Sequence, residues 1–301
     1  MNALDEFDLL AGNAEELGLP GALPPRRRLS TSVGGDQRVS AIEWGGDPLP
    51  PLAFLHGGGQ NAHTWDSVLL ALGERALAID LPGHGHSDWR ADSDYSGSTN
   101  ATAVAQVIRE LAATPVTLVG MSLGGLTAMS LTSRFPELVA ALLLVDVSPQ
   151  SAARFGELSQ AQRGSVALLS GPATYDSFDE MLEAAVLASP SRSRSSLRRG
   201  LFHNARELPD GRWRWRYDLE RKVKPAEMDT RTGWDELSAC QVPITLVRGA
   251  LSGFVAESDV AEMIRRKPDL EVHVVDGAGH SVQSDQPLEL VRIIRDFLRK
   301  D

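Results

Sequence analysis

The chain has 301 residues, 42% hydrophobic and 23% charged, enough apolar material for a substantial core in one large domain or in a core that carries an insertion. A net charge of −10 argues against a nucleic-acid partner, and the single cysteine, Cys240, excludes an internal disulfide and a cysteine-based metal cluster. No apolar run approaches the roughly 20 residues of a membrane span, and the acidic start lacks the basic and apolar regions of a signal peptide, so no membrane partner and a cytoplasmic location are expected.

Residues 1–28 read as an N-terminal arm: an amphipathic piece with Leu4, Phe7, Leu10 and Leu17, then Leu19-Pro20-Gly21 and Pro24-Pro25. Leu29–Val33 and Gln37–Trp44, joined through Gly34-Gly35, predict a hairpin. Leu52–Leu55 is a short buried strand that ends in His56-Gly57-Gly58-Gly59. Asn61–Leu72 reads as a helix and Ala76–Ile79 as a strand, followed by the glycine-rich loop Asp80–Ser87. Thr99–Leu111 sets Val104, Val107, Ile108 and Leu111 on one helical face.

Val116–Val119 then breaks abruptly into Gly120-Met121-Ser122-Leu123-Gly124, and a helical run follows to Arg134. Strand, sharp turn and helix with a serine at the apex is the G-x-S-x-G arrangement. Its glycines let strand and helix approach without Cβ clashes. The helix N-terminus lies under the serine, so its backbone N–H groups face any oxyanion formed there. Ser122 is therefore the candidate nucleophile.

Ala140–Val145 is an apolar strand ending at Asp146. Alternating strands and helices imply a mostly parallel sheet covered on both faces, with its ligand crevice at the carboxyl ends of the strands. His56, Asp80, Ser122 and Asp146 all fall at such ends. From residue 150 to 235 the rhythm changes to helical patches, including Val166–Leu169 and Met181–Leu187, with no clear buried strand. That stretch is expected to be a helical cap inserted between core segments 29–149 and 236–301. The second segment holds a strand at Val242–Gly249, a helix at Ser258–Arg266, a strand at Glu271–Val275, the turn Asp276-Gly277-Ala278-Gly279-His280 and a helix at Pro287–Leu298.

Together, His56–Gly59, Asp80–Ser87, Gly120–Gly125, Leu144–Pro149 and Gly277–His280 resemble the α/β-hydrolase superfamily, in its cap-bearing form. The resemblance covers about residues 30–149 and 236–301, and the cap matches only in position. It implies an α/β-hydrolase fold and acyl transfer by a nucleophile, a base and an orienting acid, with no cofactor or metal. Of the seven histidines, His280 alone lies on a loop after the last strand and completes the order serine, acid, histidine. His56 is expected to be structural, His84 and His86 to pack the loop after Asp80, His203 to lie in the cap and His273 in a strand.

Many family members carry the acid on the loop that here reads Arg248-Gly249-Ala250-Leu251-Ser252, where Ser252 stands in its place. The other location known in the superfamily is held by Asp146, 24 residues past Ser122. That interval fits a helix, a turn and a strand, and would set the two residues at the same edge of parallel strands about 5 Å apart. Asp146 is the expected acid, with Asp259 and Glu257 as fallbacks that also read as an ordinary acidic helix start. The oxyanion donors are expected to be the Leu123 N–H with that of Gly58 or Gly59. Asp80 is expected to fix its own loop.

The substrate is less legible. His63, Phe254 and Trp234 are candidate pocket residues, with Phe202 and Leu251 beside them. Between Arg192 and Lys224 eleven Lys/Arg face four Asp/Glu, which reads as a solvated helical face or as an attraction for an anionic substrate. Trp213 and Trp215 alternate with arginines at a period of two, the pattern of an extended segment. The leading expectation is an esterase acting on a small-molecule ester or related acyl substrate. Carbon–carbon bond hydrolysis of a ring-cleavage product and a non-hydrolytic receptor on the same fold are the alternatives. A serine nucleophile argues against haloalkane dehalogenase and epoxide hydrolase chemistry, which uses a carboxylate.

Overall fold

The computed structural model describes residues 5–19, 21–154, 157–158, 171–190, 192–219 and 230–300. The predicted patch Val166–Leu169, Leu4 of the arm, and Arg221, Lys222 and Lys224 of the basic stretch lie outside them.

An eight-stranded sheet organises the chain. Its strands are β1 (Arg26–Ser32), β2 (Arg38–Trp44), β3 (Leu52–Leu55), β4 (Ala76–Ile79), β5 (Val116–Met121), β6 (Val139–Val145), β9 (Ile244–Gly249) and β10 (Glu271–Val275). A separate ribbon pairs β7 (Ala205–Glu207) with β8 (Trp213–Trp215). The spatial order is β1-β2-β4-β3-β5-β6-β9-β10. β1 and β2 form the expected antiparallel hairpin, β2 pairs antiparallel with β4, and every later pairing is parallel.

The helices are α1 (Leu10–Glu16), α2 (Asp66–Leu72), α3 (Gly97–Leu111), α4 (Leu123–Arg134), α5 (Ser151–Arg154), α6 (Phe178–Ala188), α7 (Arg194–Asn204), α8 (Thr230–Ala239), α9 (Glu257–Arg266), α10 (Val282–Asp285) and α11 (Pro287–Leu298). They cover both sheet faces, which explains the unbroken apolar run of β6. Leu142 and Leu144 enter the core on the α3–α4 side with Val104, Ile108 and Leu131. Ala141, Leu143 and Val145 enter the other side with Leu69, Ile294 and Phe297 of α2 and α11. Strand alternation thus feeds two cores from one sequence run.

The region between β6 and β9 is an inserted, mostly helical layer with a small apolar cluster of its own, built on Tyr175, Met181, Leu197, Trp215 and Tyr217. Within it, the β7–β8 ribbon contains the extended segment expected at Trp213 and Trp215. Trp213 and Trp215 lie on one side of β8: Trp213 meets Phe178 edge-on at 5.2 Å, and Trp215 stacks on Tyr217 at 5.5 Å. Arg214, between them, points the other way and covers the Trp89 ring at 4.7 Å. The period of two therefore marks a real strand, too short to stand out as a buried run. Among the described residues, no helix is long and apolar enough to cross a membrane.

Candidate active site

Ser122 follows β5 and caps α4 with φ +50° and ψ −117°. A non-glycine residue held there costs about 1–3 kcal/mol and persists only where its surroundings dictate it. Here they are backbone. A Cβ on Gly120 would lie 2.6 Å from the Gly124 carbonyl oxygen, and one on Gly124 only 2.3 Å from that of Leu55. Those two positions accept glycine alone, and the contact between them fixes the turn. In α4 the Leu126 N–H bonds back to the Ser122 carbonyl at 3.0 Å. The N–H groups of Leu123, Gly124 and Gly125 precede it and have no acceptor within the helix.

Register brings the acid beside the serine. Met121 pairs with Val145 across β5 and β6, so Ser122 and Asp146 leave adjacent strands together. Asp146 is fully buried and, like Ser122, has positive φ, +49°. Its Oδ1 accepts the Gly249 N–H at 3.0 Å, and its Oδ2 accepts His280 Nδ1–H at 2.7 Å. Ser252 Oγ donates to the same Oδ2 and accepts the Phe254 N–H at 3.2 Å. The His280 ring is buried, and its Nε2 has no hydrogen-bond partner among the described residues. The two fallback acids are committed elsewhere. Asp259 accepts Arg154 Nη2–H at 2.7 Å and the Ala256 N–H at 3.1 Å, as the capping group of α9. Glu257 is exposed and paired with Arg248.

Ser252, where an acid was expected, thus acts on the carboxylate from outside. Ser252→Ala removes one hydrogen bond to that carboxylate and one brace on Phe254. A kcat about 5- to 20-fold lower is expected for ester turnover. An unchanged kcat would show that the backbone alone holds Asp146.

The loop after β3 closes the third side. A Cβ on Gly57 would sit 3.3 Å from Ser122 Cβ, so this loop lies directly against the serine. The Gln60 side chain ties it down by accepting the Gly57 N–H at 3.1 Å, and Asn204 at the end of α7 donates to the Gly59 carbonyl. His56 has the structural role expected of it: its Nε2 accepts the Leu81 N–H at 2.9 Å. Asp80 fixes its surroundings, accepting from the Ala62 N–H at 2.7 Å, the His86 N–H at 3.0 Å and Arg28 Nη1 at 2.7 Å.

Sheet order, elbow and residue order agree with one further observation: a model of the alpha/beta hydrolase family matches residues 52–293. The chain is an α/β-hydrolase. It is 50% identical over 299 residues to Esterase Rv0045c of Mycobacterium tuberculosis, across 99% of this chain and 97% of that one. A solved structure of the M. tuberculosis esterase superposes with a TM-score of 0.87, covering 99% of this chain and 100% of the other. The pimeloyl-[acyl-carrier protein] methyl ester esterase of Aeromonas salmonicida is 31% identical over 257 residues, 83% of this chain and 95% of that protein.

The expected pocket residues of this hydrolase separate. Phe254 is buried and stacked on the His280 imidazole at 3.5 Å, so it covers that ring. Trp234 packs on the core from α8 with the Arg266 guanidinium 5.3 Å from its ring centre, a place set by core packing. Phe202 lies edge-on to His203, and Leu251 is exposed. His63 lines a cavity with Gly58 and Gly59, but it is also the centre of a charged cluster. Its Nδ1 meets Asp66 and its Nε2 meets Glu6 of the arm, each at 2.9 Å, while Arg28 bridges Glu6 and Asp80. Burial alone would depress the His63 pKa, but the Asp66 and Glu6 carboxylates overcome it and raise it to about 9. The His203 ring, stacked on His63 at 3.6 Å, is pushed down to about 2 by burial and by the adjacent charge. Burial opposes ionisation of Glu6 too, yet His63 and Arg28 hold its carboxyl well below the usual range.

Atoms of His63, Asp66 and His203 lie within 4.8 Å of one another, a spacing that a metal could bridge. The donor set does not fit one. Both His63 nitrogens are engaged by carboxylates, and stacked imidazoles cannot aim their in-plane lone pairs at a common ion. Cys240 is no nucleophile either, since burial pushes its thiol up to about 12.

Sequence reading missed this cluster, because Glu6 and His63 are 57 positions apart and carry no shared local pattern. Its ionic character is testable. The His63 proton contributes its full stabilisation below an ordinary histidine pKa near 6.5 and loses it as pH rises through about 9. Glu6→Gln is expected to lower the melting temperature at pH 7, by an amount equivalent to about 1–3 kcal/mol. The deficit should shrink at pH 10 to the part carried by Arg28, which stays charged, and equal deficits at the two pH values would show that the His63 charge contributes nothing.

Proposed function

We propose that this hydrolase cleaves a small or medium carboxylic ester through an acyl-enzyme on Ser122. The observation that carries the reading is the fully buried Asp146 carboxylate, bonded at 2.7 Å to His280 Nδ1, while Nε2 of the same ring has no hydrogen-bond partner among the described residues. A carboxylate on Nδ1 fixes the tautomer whose Nε2 is a free base. His280 takes the Ser122 proton as Oγ attacks the acyl carbon, and Asp146 stabilises the imidazolium. The Leu123 N–H at the start of α4 and the Gly58 N–H, or that of Gly59, receive the oxyanion. One such donor contributes roughly 3–4 kcal/mol to the barrier reduction. His280 then protonates the departing alkoxide, and it activates the water that releases the acid. The similarity to esterases of other organisms supports an ester as the substrate class.

Residues 150–235 are assigned as the cap. The Asn61 amide donates to the His203 carbonyl at 3.0 Å, and Asn204 donates to the Gly59 carbonyl, so the insert is joined directly to the oxyanion loop.

Turnover of p-nitrophenyl acetate and butyrate tests the reading, together with mass-spectrometric mapping of a fluorophosphonate adduct. Ester hydrolysis with the adduct on Ser122 is the expected result. Labelling without turnover across a panel of esters would instead favour carbon–carbon hydrolysis or a receptor, and an adduct on another residue would sink the assignment.

A further inference from the structure

The cavity beside the oxyanion loop measures about 150 Å³ and is walled by Gly58, Gly59 and Gln60 on the core side and by Arg192, Arg199 and Ser284 opposite. A space of this size takes a benzene-sized group or a short chain. Its charges are unequally matched. Arg199 is paired with Glu16 at 2.7 Å, and Asp66 with the His63 imidazolium. Arg192 differs. Its side chain is only 19% exposed, Nη2 donates to Ser196 Oγ at 3.0 Å, and the buried Nε has no hydrogen-bond partner among the described residues. Asp285 Oδ1 stands 3.9 Å from that Nε, beyond hydrogen-bond reach, and Asp285 Oδ2 is already occupied by the Gly279 N–H at 2.9 Å. Burial depresses the Arg192 pKa more than Asp285 offsets it, as expected of a guanidinium short of an acceptor.

We infer that Arg192 receives a carboxylate carried by the substrate, so that the preferred ester is a monoanion, for example the half-ester of a short dicarboxylic acid. The inference rests on the ester-hydrolase reading above and narrows its substrate class. Position supports it from two sides. Gly58, in the cavity wall, is a proposed oxyanion donor, and Gly57 before it touches Ser122. Asp285, 3.9 Å from Arg192 Nε, also accepts the N–H of Gly279, the residue before His280. Gly58 and Arg192 line one cavity, so a ligand that fills it from the Gly58 side meets the guanidinium. A carboxylate suits the fork geometry of arginine. A dianionic phosphate would face Asp66 and Asp285 with Arg192, only 3.9 Å from Asp285 itself, to balance it.

The test compares mono-p-nitrophenyl glutarate with p-nitrophenyl valerate, a neutral ester of the same acyl length. Wild-type protein is expected to favour the anionic ester in kcat/KM by about 10- to 100-fold, mainly through KM. Arg192→Met should collapse that ratio towards one, and Arg192→Lys should restore part of it. On the wild-type protein, free glutarate should inhibit valerate hydrolysis competitively, and valeramide should not at the same concentration. A wild-type ratio near one, a ratio unchanged in Arg192→Met, or no inhibition by glutarate would each overturn the inference. Turnover of the neutral ester is judged separately: its loss in Ser122→Ala upholds the hydrolase reading even if the anionic preference fails.

Discussion

Asp146→Asn is expected to lower kcat/KM for p-nitrophenyl butyrate by about 10⁴-fold, with the protein still folded. The asparagine has nearly the same shape and can keep one acceptor on the Gly249 N–H, whose bond to Asp146 Oδ1 is 3.0 Å long. What it loses is charge and tautomer control. An amide NH₂ facing Nδ1 turns that nitrogen into the acceptor and moves the ring proton to Nε2, where it blocks general-base action. Asp259→Asn makes the contrast. Its carboxylate pairs with Arg154 at 2.7 Å and caps α9, so its loss should appear as a lower melting temperature with turnover largely kept. Were Asp259→Asn the inactive variant and Asp146→Asn the active one, the acid would have been misassigned.

Ser122→Ala should lower kcat by about 10⁶-fold and abolish fluorophosphonate labelling. The substitution removes only the side-chain hydroxyl, and the backbone that strains the residue is unchanged, because the Gly120–Gly124 contact does not involve the side chain. The oxyanion donors therefore survive in the variant, and a residual rate above that of water is expected. In the proposed mechanism serine, histidine and carboxylate act as one unit, so the double variant Ser122→Ala/Asp146→Asn should be hardly slower than Ser122→Ala alone. Multiplicative losses in the double variant would mean that Asp146 acts independently of the nucleophile.

Much of this arrangement is legible in the residues because it is built from strand ends. Ala76–Ile79, Glu271–Val275 and Pro287–Leu298 begin and end where apolar period and flanking turns place them. Ser122, Asp146 and His280 each follow such a strand, so their convergence is a matter of register. Contacts made by side chains across the sequence are different. The serine at position 252 is visible as a departure from the family pattern, but its bond to the Asp146 carboxylate is not. Phe254 reads as a pocket residue from its type and loop, yet its ring covers the base. Glu6 is one carboxylate among 40, and only the path of the arm across α2 brings it to His63. Arg192 is one of eleven cations in its stretch, and what sets it apart is an Nε short of an acceptor together with a place in the cavity wall, which no sequence period encodes.

The hydroxyl of Ser252 and the imidazole N–H meet on a single oxygen of Asp146. The end of β6 and the loop after β9 therefore converge on one point in space. A carboxylate delivered from either strand would meet the base at the same nitrogen, and the other strand would need only a small donor to steady it. For the proposed acid, its place along the chain and its place around the histidine are therefore separate requirements.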